Sequence, residues 1–223
     1  MVSTGEIENL KKSSFVEARE ASLPVFDETC TYIGQLVPIG EWIFNSEDII
    51  EQICNWRDES MQFFFSRFHS SIIRTETYLR KLSIGQPGRV LFLIFDGDEK
   101  LIGHIGVKDV DECTGGLDNV MRGRSGGHPQ LIYFAEKTIL DWCFGILQLS
   151  LVNLVVLSYN MMSIELHMQF GFITEEISSL RKDEESGEIV HRRVAPQYAN
   201  VDYTCNRMSL TKERFLSNAE KNI

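Results

Sequence analysis

The stretch that decides the fold is residues 117–172, LDNVMRGRSGGHPQLIYFAEKTILDWCFGILQLSLVNLVVLSYNMMSIELHMQFGF. Leu117–Met121, which follows a turn region, and the apolar run Leu151–Leu157 are predicted to be two strands. Apolar residues every three or four positions between them predict a helix over His128–Leu147. Because a helix connects the two strands, we expect the strands to be parallel neighbours in one sheet. A short helix over Met161–Phe170 completes the stretch.

The turn between the first strand and the helix contains Gly123, Gly126 and Gly127. Backbone amides in such a turn point toward one spot, and the positive end of the following helix dipole lies there as well. Arg122 and Arg124 can add charge-assisted hydrogen bonds to an anion at that spot. The turn therefore indicates a phosphate site, although a plain surface loop would have a similar composition.

The last part of the stretch places polar, apolar and glycine residues at fixed spacing, namely Asn160, Ser163, Leu166, His167, Gly171 and Phe172. This spacing restricts the choice of fold more than the glycine-rich turn does. An alternative interpretation is that Leu166 and Phe170 are only the apolar stripe of a helix.

Together the two patterns resemble the GNAT superfamily of N-acetyltransferases, over roughly Thr31–Leu210. The pyrophosphate loop of that family reads Arg/Gln-x-x-Gly-x-Gly/Ala; here Arg122 and Gly127 match, and Ser125 replaces the first glycine. The second family pattern reads Asn-x-x-Ala-x-x-Leu-Tyr-x-x-x-Gly-Phe. In this chain Ser163 replaces the alanine of that pattern and His167 replaces the tyrosine.

The resemblance implies an α/β (α+β) fold of GNAT type, with a mixed, mostly antiparallel sheet, a central splayed parallel pair, and helices on both faces. It also implies an acetyl-CoA-dependent N-acetyltransferase that moves an acetyl group to a primary amine by direct attack. The backbone amide of Val120 is then the candidate to hold the thioester oxygen. The implied cofactor-binding residues are Val120, Met121, Arg122, Arg124, Ser125, Gly126, Gly127, Asn160 and Ser163.

Proton transfer in this reaction needs an acid for the departing thiolate and a base for the ammonium. In the family a tyrosine at the position of His167 is the acid. The reference pKa of tyrosine is about 10 and that of histidine about 6.5, so His167 would be a stronger acid that is mostly neutral above pH 7. It could also hold a water, or only pack beside the cofactor. Candidate bases are Asp118, which strand alternation places on the face of Val120, and His104. Alternatively, Asp118 is an ordinary carboxylate and His104 a core histidine.

The acceptor is the least defined part of the prediction. Trp56, Arg57 and Asn119 resemble residues of acetyltransferases for nucleotide-linked amino sugars, where aromatic rings stack on a base or sugar and arginine meets a phosphate. Acetylation of protein N-termini or other peptide amines is an alternative. A non-catalytic acyl-CoA-binding module is another, because Ser125 and His167 depart from the family.

Composition limits the partners, the metal or disulfide sites and the location that we expect for the protein. The 32 acidic residues exceed the 22 basic ones, which gives a formal charge of −10 and argues against nucleic acid as a partner. It suits a cationic or neutral small substrate. The five cysteines form no CxxC pair, which argues against a zinc site or disulfide framework, and Cys54 and Cys143 fit core thiols. With no apolar run long enough to span a bilayer and a polar N-terminus, we expect a cytoplasmic protein, and a homodimer stays an open alternative.

The domain prediction is a flexible N-terminal extension over residues 1–20, one acyltransferase domain over 21–215, and a tail over 216–223. The remaining predicted elements are strands over Thr31–Ile39, Val90–Phe95, Leu101–Val107, Phe172–Arg181 and Val201–Leu210, helices beginning at Ser46 and over Thr75–Leu82, and a charged loop over Lys182–Glu188.

Overall fold

The computed structural model describes residues 2–221. Its helices are α1 (Val2–Leu10), α2 (Phe15–Glu20), α3 (Glu47–Glu59), α4 (Ile72–Tyr78), α5 (Leu131–Gly145), α6 (Met161–Gln169) and α7 (Lys212–Lys221). Its strands are β1 (Leu23–Phe26), β2 (Tyr32–Pro38), β3 (Ser66–Arg67), β4 (Val90–Asp96), β5 (Leu101–Lys108), β6 (Thr114–Arg122), β7 (Leu151–Leu157), β8 (Ile173–Glu185), β9 (Glu188–Val194) and β10 (Thr204–Thr211).

The chain forms two compact units. The first contains the residues up to Ile53 together with Ile72–Val152, and the second contains Cys54–Ser71 together with the chain from Asn153 onward. In the first unit the strands lie in the order β1-β2-β4-β5-β6, and each neighbouring pair is antiparallel. In the second unit the order is β7-β10-β8-β9-β3.

The core of the first unit forms around β4 and β5. Every residue of β4 is buried, as are all residues of β5 except the last, because both strands are nearly continuous apolar runs. Phe92, Ile94 and Ile105 are among its largest fully buried side chains. The predicted hairpin between these strands is confirmed, since Val90 pairs with Val107.

The fold class is confirmed as a mixed, mostly antiparallel sheet with one parallel pair. The start of β7 lies beside the start of β6 within the first unit. There the amides of Ser150 and Leu151 donate to the carbonyl of Cys113, at 2.8 and 3.3 Å. Helix α5 connects the two strands, as the sequence predicts, but it begins at Leu131 instead of His128.

The prediction of a loop over Lys182–Glu188 is wrong, because β8 and β9 form a long hairpin there. The strands are joined at Ser186 and Gly187, whose φ values of 54° and 79° suit a tight two-residue turn. Charged side chains pair across the strands, with Arg192 against Asp183 at 2.7 Å and against Glu185 at 2.9 Å. Charge density alone therefore misled the loop prediction.

The N-terminal twenty residues, predicted to be a flexible extension, contain α1 and α2. Ile7 and Ala18 are fully buried, and Ser14 and Glu17 form a capping box at the start of α2. The segment is thus packed through Ile7 and Ala18, and Met1 lies outside the described residues. The predicted tail over 216–223 overlaps α7, and its last two residues also lie outside the described range.

Candidate active site

Strand β6 carries a β-bulge opposite Ile105. His104 pairs with Met121 and Gly106 with Asp118, so two residues of β6, Asn119 and Val120, oppose one residue of β5. The φ of Asn119 is 51°, a left-handed conformation that asparagine tolerates better than most residues. Asn119 and Val120 lie outside the paired register of β5 and β6, and Val120 carries the amide that we predicted to hold the thioester oxygen.

The bulge also changes the expected face relationships. Strand alternation predicts that Asp118 and Val120 share a face, but the inserted residue breaks that alternation. By register, Asp118 now shares a face with Met121, opposite Gly106 and His104. The alternation argument for placing Asp118 beside Val120 is therefore wrong.

Two glycines of β5 allow its close approach to β6. A Cβ atom on Gly103 would lie 2.1 Å from the carbonyl oxygen of Met121, which no side chain can satisfy without moving backbone. A Cβ on Gly106 would lie 3.1 Å from the carbonyl oxygen of Val90 and 3.3 Å from that of Asp118. Gly106 directly follows Ile105, the residue opposite the bulge, and Gly103 precedes it by two positions.

The carboxylate of Asp118 joins a partly buried network at the bulge. It pairs with the guanidinium of Arg89 at 2.5 Å and with the ammonium of Lys108 at 3.2 Å. The side-chain amide of Asn119 donates to Asp118 and to the hydroxyl of Tyr78, each at 2.8 Å. The network therefore connects the side chain of Asn119 to Tyr78 at the end of α4 and, through Asp118, to Lys108 at the end of β5.

His104 is buried and reaches the bulge from β5. Its Nδ1 lies 2.8 Å from the carbonyl oxygen of Asn119. Since a carbonyl oxygen can only accept a hydrogen bond, Nδ1 carries the ring proton of the neutral imidazole, and Nε2 is the basic nitrogen. The first unit therefore brings together His104, Asn119 and Asp118, and Val120 lies next to Asn119 in the bulge.

The glycine-rich turn after β6 is held by its own backbone and by Arg122. The amides of Gly123 and Arg124 both donate to the carbonyl of Ile102, at 2.9 and 3.0 Å. The guanidinium of Arg122 donates to the carbonyls of Gly126 and Pro129. Arg122, predicted to bind phosphate, thus closes the turn in this structure.

The outer part of this turn has the character of an anion site. Gly126 and Gly127 have φ values of 121° and 65°, and a Cβ on Gly127 would lie 2.8 Å from the Cβ of Asp96. Within residues 2–221 the amides of Ser125, Gly126 and Gly127 meet no hydrogen-bond acceptor. Exposed Arg124 lies in the same turn. Successive amides of this kind before α5 fit a phosphate group.

In the second unit, the pattern from Asn160 to Phe172 forms helix α6 and its two caps. The Asn160 side chain accepts a hydrogen bond from the amide of Ser163 at 3.3 Å and so caps the N-terminus. Gly171, with a φ of 95°, ends the helix, and the amide of Phe172 donates to the carbonyl of His167. The spacing of the pattern is thus the length of a capped two-and-a-half-turn helix.

The two residues that depart from the family pattern touch each other on α6. The Nε2 of His167 lies 3.1 Å from the Oγ of Ser163, one helical turn earlier. His167 is 3% exposed, and its ring lies 5.7 Å from that of Phe172. The second unit therefore brings Asn160, Ser163 and His167 together.

The predicted acceptor residues of the second unit are engaged in packing. Trp56 is only 6% exposed. The guanidinium of Arg57 lies 3.5 Å over the ring of Phe64 and 5.0 Å from that of Phe68, and it donates to the carbonyl of Ser66. Arg57 thus stabilises the segment between α3 and β3.

A group of hydrogen-bonded aromatic residues, which no sequence pattern singles out, lies in the second unit and consists of Tyr159, His191 and Tyr203. The hydroxyl of Tyr159 donates to the carbonyl of Gln62 at 2.6 Å and accepts from Arg67. The ring of Tyr203 packs edge-on against that of Tyr159, and its hydroxyl lies 2.6 Å from the Nε2 of buried His191. Burial raises the pKa of the Tyr159 hydroxyl and lowers the pKa of His191.

Two further sequence expectations concern thiols and membranes. Cys54 and Cys143 are buried, as predicted, and burial raises the pKa of Cys143 to about 12. None of the helices within residues 2–221 combines the length and the apolar character that crossing a bilayer requires.

Comparison with known proteins places this geometry among acetyltransferase structures. A spermidine N-acetyltransferase from Vibrio cholerae, in complex with CoA and spermine, aligns with a TM-score of 0.58 and 19% identity over 76% of this chain and 93% of that chain. A protein from T. thermophilus, provisionally named an acetyltransferase, gives 0.60 and 18% over 89% and 94%. Another protein with the same provisional name gives 0.58 and 20% over 85% and 88%. No protein-family model and no curated protein matches the chain.

At these identities the likeness establishes the fold alone. The chain has the fold of these N-acetyltransferases, as the resemblance of its sequence predicts.

Proposed function

We propose that the protein is an acetyl-CoA-dependent N-acetyltransferase that acts on a small, positively charged primary amine. The observation that carries the proposal is the turn at Ser125–Gly127. Its three amides, which have no acceptor among the described residues, and its two left-handed glycines stand directly before α5, where a pyrophosphate would be held. Acetyl-CoA would supply an activated acyl group on a thioester.

The residues of the first unit suit the binding and deprotonation steps. Val120 lies in the bulge of β6, outside the paired register, and its amide stays the candidate donor to the thioester oxygen. His104 is one of the two base candidates, since a neutral imidazole that donates through Nδ1 can accept a proton at Nε2. The carboxylate of Asp118 is already engaged by Arg89 and Lys108.

The residues of the second unit suit the protonation step. His167 is the candidate acid for the leaving thiolate, since it stands where the family has a tyrosine. The Asn160 cap and the Gly171 cap fix the helix that carries it.

A cationic acceptor is supported by charge. The chain carries a formal charge of −10, which attracts amines that are protonated in solution. One structure of similar fold belongs to an enzyme named for spermidine. Nucleotide-linked amino sugars stay a prediction, but Trp56 and Arg57, on which that prediction rests, have packing roles in this structure.

The test is a panel of acceptors incubated with the protein and acetyl-CoA, with release of the free thiol as the readout. The panel contains spermidine, a nucleotide-linked amino sugar and a peptide with a free N-terminus. The proposal predicts fastest release with spermidine and loss of release in H104Q. Faster release with the sugar or the peptide would identify that compound, instead of a small cationic amine, as the acceptor class. Binding of acetyl-CoA without release on any amine would support the non-catalytic module instead.

A further inference from the structure

The two residues of α6 that differ from the family pattern, Ser163 and His167, are hydrogen-bonded to each other. Ser163 and His167 stand four residues apart, so their side chains lie on one face of the helix, and their Oγ and Nε2 atoms lie 3.1 Å apart. The alanine and tyrosine of the family pattern could not form this hydrogen bond, because alanine has no polar atom in its side chain. The two substitutions therefore make one new contact.

The two members of the pair differ in burial. His167 is buried against Phe172, whereas Ser163 is half-buried in the first turn of α6, beside the exposed residues Met161 and Met162. An imidazole also ends closer to the helix backbone than a phenol does. The hydroxyl of Ser163 is thus the more outward polar group of the pair, and the helix dipole favours a developing negative charge at that end.

We propose that Ser163 is a catalytic residue that relays a proton from His167 to the leaving sulfur, an inference that rests on the proposed acetyltransferase function. The Oγ–H bond of Ser163 breaks as the new S–H bond forms. At the same time the Nε2–H bond of the His167 imidazolium breaks, and its proton restores the hydroxyl. The imidazole is left neutral and, after the thiol leaves, regains its proton from solvent through the half-buried Ser163 hydroxyl.

The relay is tested by turnover of four variants of the pair and one control variant with spermidine. Ser163→Ala and His167→Gln should each lower kcat by about 10²-fold, the usual contribution of a general acid. Combining them should cost little more, since both remove the same relay. The double variant Ser163→Ala/His167→Tyr restores the family pair and should recover most of the turnover. Ser178→Ala, which removes an exposed hydroxyl of β8 bonded to Glu176, is the matched control and should leave kcat unchanged.

A second readout does not depend on turnover. In ¹⁵N NMR of the protein without substrates, Ser163→Ala should shift the Nε2 resonance of His167, and Ser178→Ala should not. An unchanged kcat in Ser163→Ala would overturn the relay, whatever the NMR shows. Wild-type protein that releases no thiol with any amine would instead overturn the proposed function, so the two failures are distinguishable.

Discussion

The guanidinium of Arg89 lies 2.5 Å from the carboxylate of Asp118, beside the bulge of β6. The side chains are only 16% and 19% exposed, and Asn119 donates to the same carboxylate oxygen. We interpret this ion pair as structural: it holds Asn119 in its left-handed conformation, and Asp118 is not the catalytic base.

The first prediction distinguishes a structural role of Asp118 from a role as the catalytic base. Asp118→Asn should lower the free energy of unfolding by about 2 kcal/mol, between the values for exposed and buried pairs, because Arg89 is left without its charge partner. Adding Arg89→Gln should recover part of that loss and part of the turnover, as urea unfolding and thiol release would show. A double variant as inactive as Asp118→Asn, with an altered acidic limb of its pH–rate profile, would identify Asp118 as a base.

The second prediction concerns the β5–β6 contact. Gly103→Ala should lower the free energy of unfolding by about 2–3 kcal/mol, because its Cβ would lie 2.1 Å from the carbonyl oxygen of Met121. Gly145→Ala, in α5, meets no described atom within 4 Å and should be neutral or stabilising by up to about 1 kcal/mol. Equal stabilities of the two variants in urea would contradict the close approach of the strands.

The third prediction concerns the anion site. Gly127→Ala should weaken CoA binding about tenfold or more in calorimetry, because the new side chain strains a left-handed residue and meets Asp96. Gly187→Ala has the same backbone strain at a φ of 79° but open surroundings in the β8–β9 turn. That control should keep wild-type affinity. If both variants bind CoA equally well, the turn is not the pyrophosphate site.

The fourth prediction is a pH dependence of stability. Burial, then the charges of Arg67 and Lys182, lowers the pKa of His191 against a raising effect of the Phe65 carbonyl. Below about pH 6.5 the unfolded chain binds a proton that the folded chain resists. The stabilisation from neutral His191 is therefore complete above that pH and is lost as the pH falls toward the folded-state pKa.

Urea unfolding between pH 7 and pH 5 measures this effect. His191→Gln should flatten the loss of stability on acidification, whereas His69→Gln should not, because the side chain of His69 is 91% exposed. If the free energy of unfolding falls equally steeply with pH in wild type and His191→Gln, groups other than His191 cause the pH dependence.

Much of the fold could be predicted because it depends on local patterns. The apolar runs of β4, β5 and β7 and the spacing from Asn160 to Gly171 are readable from the sequence, since strand burial and helix caps are short-range features. The β8–β9 hairpin was missed because its charges are satisfied by cross-strand partners, such as Arg192 with Asp183.

The site was predicted less well because its contacts are long-range. Nothing local distinguishes an asparagine in a strand from the left-handed Asn119, whose side chain meets Tyr78 forty-one positions away. Arg122 was expected to face a ligand, yet its guanidinium meets carbonyls of its own turn. Tyr159 and Arg67 are joined only by the fold.

The central claim is the transfer of an acetyl group to an amine, and mass spectrometry of the acceptor tests it most directly. Spermidine incubated with the protein and acetyl-CoA carrying a ¹³C-labelled acetyl group should gain one labelled acetyl group for each free thiol released. Thiol release without labelled spermidine, or neither product at saturating acetyl-CoA, would contradict acetyl transfer to this amine.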